Sequence, residues 1–350
     1  MARRRAEAGG GMSVEVLDPR FDPEPPYWRA LRATAGLRAD WAWDVLRRQA
    51  WCARTPWYLT VLLDGGRPRG MAGAAWIGTS TRRHRFATSR RGGYLGGLDL
   101  RAPGNSAFPS WWFADAGADG CEELLSEYFP AMRKLLGVGL KATLIRQLSE
   151  DAATHVRGRR GLVRETEPVA RLPTEAFSGR TDWLASLGGK RRSQLRKLLG
   201  GVDTDERLAV EWLTGDAVDV VELAGLLRLN EVKHRDVPIV PLPQFVGYLR
   251  RLVAQPDFRV LSYRDTHTGE LLGAATVFDH PQWPLWRSFA AVPVERGGRS
   301  NLYFHVFGEL VRWSVAEGRR GVVLGKKMAE LKKSCGAELS PQYAAALPLR

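Results

Sequence analysis

The sequence predicts an α+β chain made of two tandem copies of one plan, each a mixed, mostly antiparallel sheet flanked by helices. The first observation is a repeat. WYLTVLLDGGRPRGMAGAAWIG (57–78) and FRVLSYRDTHTGELLGAATVFD (258–279) both read as strand, polar Gly-containing turn and strand, with Gly73, Ala74, Ala75 and Gly273, Ala274, Ala275 in the second strand. The second is that a helical segment precedes each hairpin, Asp40 to Ala53 and Ala217 to Glu231. The third is that an amphipathic helix and then a short apolar strand follow each, 121–137 and 141–148 in one half, 300–318 and 321–325 in the other. Helix, hairpins, helix and strand in that order make a layered α+β domain.

Element by element, MARRRAEAGGGM opens a flexible N-terminus, residues 1–26, with no apolar stretch behind it that would make a signal peptide. The first domain is expected over 27–165. Its helix 121–137 contains Pro130, which removes a backbone donor and predicts a kink or break. Residues 166–180, rich in Pro, Thr, Glu and Gly, read as a linker, and 181–350 as the second domain. There Val218, Val221, Leu223, Leu226, Leu227 and Leu229 fall mostly at helical spacing. In the later helix Tyr303, Phe307, Leu310 and Ser314 share a face, and Gly318 is a natural C-cap.

The 350 residues suffice for two cores, and 44% hydrophobic with 26% charged residues reads as soluble and globular. A net charge of +14 and a pI near 10.1 favour a polyanionic partner, although Arg-rich, Ala-rich and Gly-rich usage alone supplies some of that charge. Cys52, Cys121 and Cys335 have unrelated spacings, and the six histidines form no HxH or HxxxH pair, so neither a disulfide framework nor a metal site is expected. No apolar run reaches membrane-spanning length; the expectation is a cytoplasmic protein without membrane insertion.

Two cationic clusters stand out. WLASLGGKRRSQLRKLLGG (183–201) holds Lys190, Arg191, Arg192, Arg196 and Lys197 without an acid, behind Gly188-Gly189 at a helix start, where backbone N–H groups also favour anions. GKKMAELKKSCGAELSP (325–341) places Lys326 and Lys327 after a strand and Lys332 and Lys333 on a short helix. Both patterns also suit a plain solvated face. TRRHRFATSRRGG (81–93) adds Arg82, Arg83, Arg85, Arg90 and Arg91. Trp51, Trp57, Trp76, Trp111 and Trp112 suit the first core better than a pocket.

Trp183-Leu184 with KRRSQLRKL (190–198), LYFHVFGELVRWSVAEGRRGVVLG (302–325) and ELKKSCGAE (330–338) together resemble the FemABX-type acyltransferases, tandem GNAT-fold proteins that include peptidyltransferases using aminoacyl-tRNA. The resemblance covers about 180 to 345. It implies two GNAT-like domains, with Arg192 holding the acceptor or an anionic group. It also matches Lys332 to the lysine of an aromatic-Lys-x-x-aromatic-Gly pattern, whose two aromatic positions are here Leu331 and Cys335.

The chemistry implied is attack of an amine on an activated carbonyl, and Lys332 is the candidate to stabilise the oxyanion. Arg196, Glu231, His234, Asp236 and Tyr303 are substrate-binding candidates, and one of Glu231, His234 and Asp236 is a candidate base or orienting group. Lys190, Arg191, Arg299, Lys326, Lys327 and Lys333 are candidates for holding tRNA or another anion. A coenzyme A enzyme of this fold would carry an Arg/Gln-x-x-Gly-x-Gly/Ala turn. In VERGGRSNLYF (294–304) Arg299 and Asn301 occupy its glycine positions. The expectation is therefore an amide-forming transferase with aminoacyl-tRNA as co-substrate, no cofactor, and a small-molecule or peptide amine as acceptor. An acyl-CoA-dependent N-acyltransferase and a non-catalytic nucleic-acid-binding protein are the alternatives.

Overall fold

Both Gly-Ala-Ala segments lie in the second strand of an antiparallel hairpin, and the glycine of each meets a residue near the middle of its partner strand, Gly73 opposite Leu59 and Gly273 opposite Tyr263. The computed structural model describes residues 4–8, 12–53, 55–79, 95–114, 120–234 and 246–349. It forms two units, Met1–Glu167 with Pro341–Arg350, and Pro168–Ser340.

Unit 1 contains β1 (Arg4–Ala8), β2 (Met12–Leu17), β3 (Trp57–Asp64), β4 (Arg67–Gly78), β5 (Gly96–Leu100), β6 (Trp111–Phe113) and β7 (Leu140–Leu148). The chain leaves it within β8 (Leu162–Pro173) and returns within β14 (Glu338–Pro348). The strands run β1-β2-β3-β4-β5-β7-β14, with β6 added to β4. Its helices are α1 (Trp28–Thr34), α2 (Trp43–Cys52), α3 (Cys121–Glu123), α4 (Phe129–Leu136) and α5 (Glu150–Gly158). A π-helical turn, Leu124–Tyr128, separates α3 from α4, and Pro130 stands in the first turn of α4, so the break falls where the missing N–H requires it. Trp76 and Trp111 are buried in this core, as aromatic packing predicts.

Three boundaries differ from the linear expectation. The N-terminal segment contributes β1 and β2, and Val14 and Leu17 are buried where β2 pairs with β3, so residues 12–17 are a strand of the sheet. The last ten residues belong with unit 1, because β14 pairs antiparallel with β7 from Tyr343↔Leu148 to Pro348↔Ala142. The expected linker likewise carries the end of β8, where Ala170–Pro173 pairs with the strand at 321–325.

Unit 2 contains α6 (Arg180–Ser186), α7 (Gly189–Asp203), β9 (Leu208–Leu213), α8 (Val220–His234), α9 (Val246–Val253), β10 (Phe258–Asp265), β11 (Leu271–Phe278), β12 (Leu285–Ala291), α10 (Leu302–Ala316), β13 (Gly321–Gly325) and α11 (Ala329–Ser334). The strands run β8-β13-β12-β11-β10-β9. Leu195 and Leu199 of α7, with Trp183, Val306, Phe307 and Leu310, share a core with Leu261, Tyr263, Ala275, Val277 and Trp286 of the sheet. This packing fixes the basic helix by its apolar stripe and leaves its cations outside. Gly318 adopts φ +64° and closes α10, the left-handed conformation a C-terminal glycine supplies.

Candidate functional site

The feature that builds a site in unit 2 is an incomplete pairing. Strands β12 and β13 are parallel neighbours joined through α10, yet they pair only at Leu285↔Val323. The cause lies on the other edge of β12. Its register with β11 passes from Thr276↔Ser288 to Val277↔Trp286, which leaves Arg287 as an extra residue. Such a bulge bends its strand, so β12 turns away from β13 just past their one shared position. A wedge results at the C-terminal ends of two parallel strands, a place where α/β sheets bind ligands. Along Ser288–Ala291 the backbone groups of β12 that point away from β11 have no β13 partner in the ladder.

Aromatic side chains of β12 and α10 cluster beside this wedge. Trp286 and Phe289 of β12 meet Tyr303 and Phe307 of α10, with ring centroids 5.1 Å apart for Trp286–Tyr303 and 5.4 Å for Phe289–Tyr303. Trp286 and Phe307 are buried, while Phe289, Tyr303 and Phe304 are half-buried and form the rim. Burial first, and Cys335 second, push the Tyr303 phenol up to about 12, so it is a neutral hydroxyl at physiological pH.

The opening turn of α7 reaches the same place. Arg191 lies over Phe304 at 5.1 Å and donates from Nη2 to Cys335 Sγ at 3.0 Å and from Nη1 to Gln194 at 2.8 Å. Trp183 Nε1 donates to the Cys335 carbonyl at 2.9 Å, so α6 and α7 are both fastened to the end of α11. Arg192, one residue on, turns back to the Ala185 carbonyl at 3.1 Å and caps α6. Lys190, Arg196, Lys197 and Lys333 are exposed, and their side chains have no partner among the described residues.

Lys332 occupies a different position from that of an idle oxyanion donor. It is 4% exposed, and its ammonium donates to the carbonyls of Leu324 at 2.7 Å, Gly325 at 3.3 Å and Lys326 at 2.6 Å. An ammonium has three hydrogens, and three carbonyls receive them. These carbonyls belong to the end of β13 and the first residue of the turn after it, where Lys327 and Met328 take φ of +63° and +53°, a conformation unfavourable for non-glycine residues. Lys332 therefore anchors a strained turn.

The turn before α10 is also internally committed. The N–H groups of Arg296, Gly297 and Gly298 donate to Pro293, Val294 and Pro293, and a Cβ at Gly298 would overlap the Val292 carbonyl oxygen. Arg299 is clamped by Asp205 at 3.0 Å and Asp265 at 3.2 Å, and Arg207 reaches Asp265 as well. Arg299 as an anion-binding residue is thus already neutralised by two carboxylates.

His305 belongs to a buried network. A carboxylate only accepts, so His305 Nε2 donates to Asp203 Oδ1 at 3.0 Å; its Nδ1 lies 3.1 Å from the Tyr263 hydroxyl. Arg180 grips the same Asp203 with 3.0 Å and 2.7 Å bonds. Partial burial raises the Asp203 carboxyl, but the hydrogen bonds from Arg180 and His305 together outweigh it and hold the group below its usual range. This network locks the end of α7 to α6, α10 and β10. Glu231 pairs with Arg228 at 3.3 Å, while Asp236 and the His234 side chain lie outside the described residues, as do Arg82, Arg83, Arg85, Arg90 and Arg91. Lys326 and Lys327 sit on the strained turn.

Sequence reasoning passed over Trp286, Phe289 and the bulge at Arg287, and gave Cys335 only a place in a motif. The one usable signal was the aromatic spacing of LWRSF (285–289) just before the turn. Among the described residues no cluster of His, Cys, Asp and Glu could hold a metal ion, and no helix is long and apolar enough to cross a membrane.

No family model matches this sequence, and no curated protein matches it in sequence. Solved structures match in fold. The C-terminal domain of a putative lysylphosphatidylglycerol synthetase from Agrobacterium fabrum gives a TM-score of 0.59 at 13% identity, over 91% of this chain and 90% of that one. L-PGS from Bacillus licheniformis gives 0.59 at 11%, over 94% and 93%, and FemX gives 0.54 at 12%, over 84% and 88%. The fold is that of the FemABX/GNAT-like acyltransferases.

Proposed function

We propose that the chain is an aminoacyl transferase that forms an amide between an amino acid carried on tRNA and an amine acceptor, a natural-product intermediate or a cell-wall precursor. The transferase class is supported by the fold and by the wedge between β12 and β13. The observation that carries the choice of donor is the turn before α10. Pyrophosphate binding at a helix start needs open backbone N–H groups and uncompensated positive charge. Here the N–H groups of Arg296, Gly297 and Gly298 are used within the turn, and Asp205 and Asp265 sit against Arg299. Coenzyme A would meet carboxylates where its phosphates should lie. The unpartnered cations stand instead on α7 and α11, spread over a surface that suits a nucleic-acid backbone.

In this reading the acceptor amine attacks the ester carbonyl of the aminoacyl group, a C–N bond forms, and negative charge gathers on the carbonyl oxygen. Collapse breaks the C–O bond; the terminal ribose hydroxyl leaves and takes up the proton the amine gives up. Open backbone N–H groups of β12 between Ser288 and Ala291 meet the oxyanion, since the hydrogens of Lys332 are engaged elsewhere. The activated ester leaves positioning as the main remaining requirement.

The test is binding of purified protein to tRNA at two salt concentrations with coenzyme A as competitor. Salt-sensitive tRNA binding that coenzyme A leaves undisturbed supports the reading. Coenzyme A binding without tRNA binding overturns it.

A further inference from the structure

The rim of the wedge indicates which amino acid the donor brings. Phe289, Tyr303 and Phe304 present half-buried ring surface above the buried Trp286 and Phe307, at the end where β12 has left β13. An acyl carbonyl held by the open edge of β12 places its side chain against these rings.

The charged group shown against these rings is Arg191. Arg191 lies over Phe304 and has no acid partner among the described residues. The Tyr303 hydroxyl at the cluster is neutral at physiological pH and does not offset a cation. The ring faces would attract a side-chain ammonium, but Arg191 already lies over Phe304, so the ammonium would lose water and stand against this guanidinium, which has no acid partner among the described residues. A carboxylate would gain Arg191 but lose water against the same rings.

We propose, resting on the tRNA-donor reading above, that the wedge selects an uncharged aromatic or aliphatic aminoacyl group and rejects a cationic one.

The experiment uses one tRNA body charged in turn with phenylalanine, leucine, aspartate or lysine, competed against the uncharged form for binding to the full chain. Burying a large apolar side chain predicts that the phenylalanyl and leucyl forms bind roughly ten- to a hundredfold tighter than the lysyl form. Phe289→Glu should bring the lysyl form to parity or better, and Phe289→Leu should preserve the original order. A lysyl or aspartyl preference in the unaltered protein, or equal binding of charged and uncharged tRNA, overturns the inference and leaves the tRNA donor standing. Absence of binding to any tRNA overturns the donor reading itself.

Discussion

Replacing Lys332 by methionine separates an anchoring role from a chemical one. The side chain keeps most of its volume but loses every donor, so the carbonyls of Leu324, Gly325 and Lys326 lose their ammonium partner. A hydrogen bond to a charged group contributes about 1.5–3 kcal/mol, and leaving a buried acceptor bare costs a similar amount. Leu324 is buried, whereas Gly325 and Lys326 are half-buried and accept water in compensation. The net loss should be about 2–4 kcal/mol, a factor of roughly 30 to 1,000 in a local opening equilibrium. Because the chain has two units, a single unfolding midpoint is a poor measure. Hydrogen exchange at Lys332, Cys335, Gly336 and Ala337 reads the turn directly, since their amides bond within this segment. Exchange there should accelerate by that factor while unit 1 is unchanged. Unaltered exchange in a variant that has lost turnover but not donor binding would refute the anchor and restore Lys332 as the oxyanion donor.

Other outcomes follow from the same geometry. Gly298→Ala should destabilise unit 2 by about 1–3 kcal/mol, because the new methyl overlaps backbone rather than a movable side chain; faster hydrogen exchange in unit 2 with unit 1 unchanged checks this. Changing Lys190, Arg196, Lys197 and Lys333 together to alanine should flatten the salt dependence of tRNA binding by about 0.7–0.9 in slope for each phosphate no longer neutralised, whereas Arg299→Gln should leave the slope unchanged. The lowered carboxyl of Asp203 adds stability that is present above the unfolded-state pKa of aspartate and is lost as pH falls through the folded one. Unit 2 should therefore weaken on acidification below the ordinary aspartate range, and Asp203→Asn should lessen that dependence in a pH series of urea melts.

What the sequence made legible was whatever local chemistry decides. Hairpins, α10 with Gly318, and the break at Pro130 follow from periodicity and backbone rules, and each stands where those rules put it. The site was harder because it turns on offsets of one residue. Arg191 and Arg192 are both basic and adjacent on a helix, so they point about 100° apart; one reaches Cys335 and the other returns to Ala185. Only register shows which. The bulge at Arg287 is a single uncounted residue in an ordinary strand, and the commitment of Lys332 depends on two left-handed residues that are not glycine.

Comparing the two copies of the plan shows why, among the described residues, the parallel pair of unit 2 opens and that of unit 1 does not. In unit 1 the parallel pair β5–β7 stays paired along the strand, from Gly96↔Leu140 through one register shift at Gly96/Gly97 to Leu100↔Ile145. It can do so because β5 begins with two glycines: a Cβ at Gly97 would lie 2.6 Å from the Ala142 carbonyl oxygen, so only a bare backbone fits. Unit 2 has Leu285 and Trp286 at the start of β12 and an extra residue immediately after, so close approach ends at its first position. A closed ladder satisfies its own backbone groups and offers none to a ligand; an open one leaves donors in need of a partner. In the proposed reading the acyl group is held in unit 2, whereas the glycines that bring β5 onto β7 give unit 1 a parallel ladder that is paired along its length among the described residues.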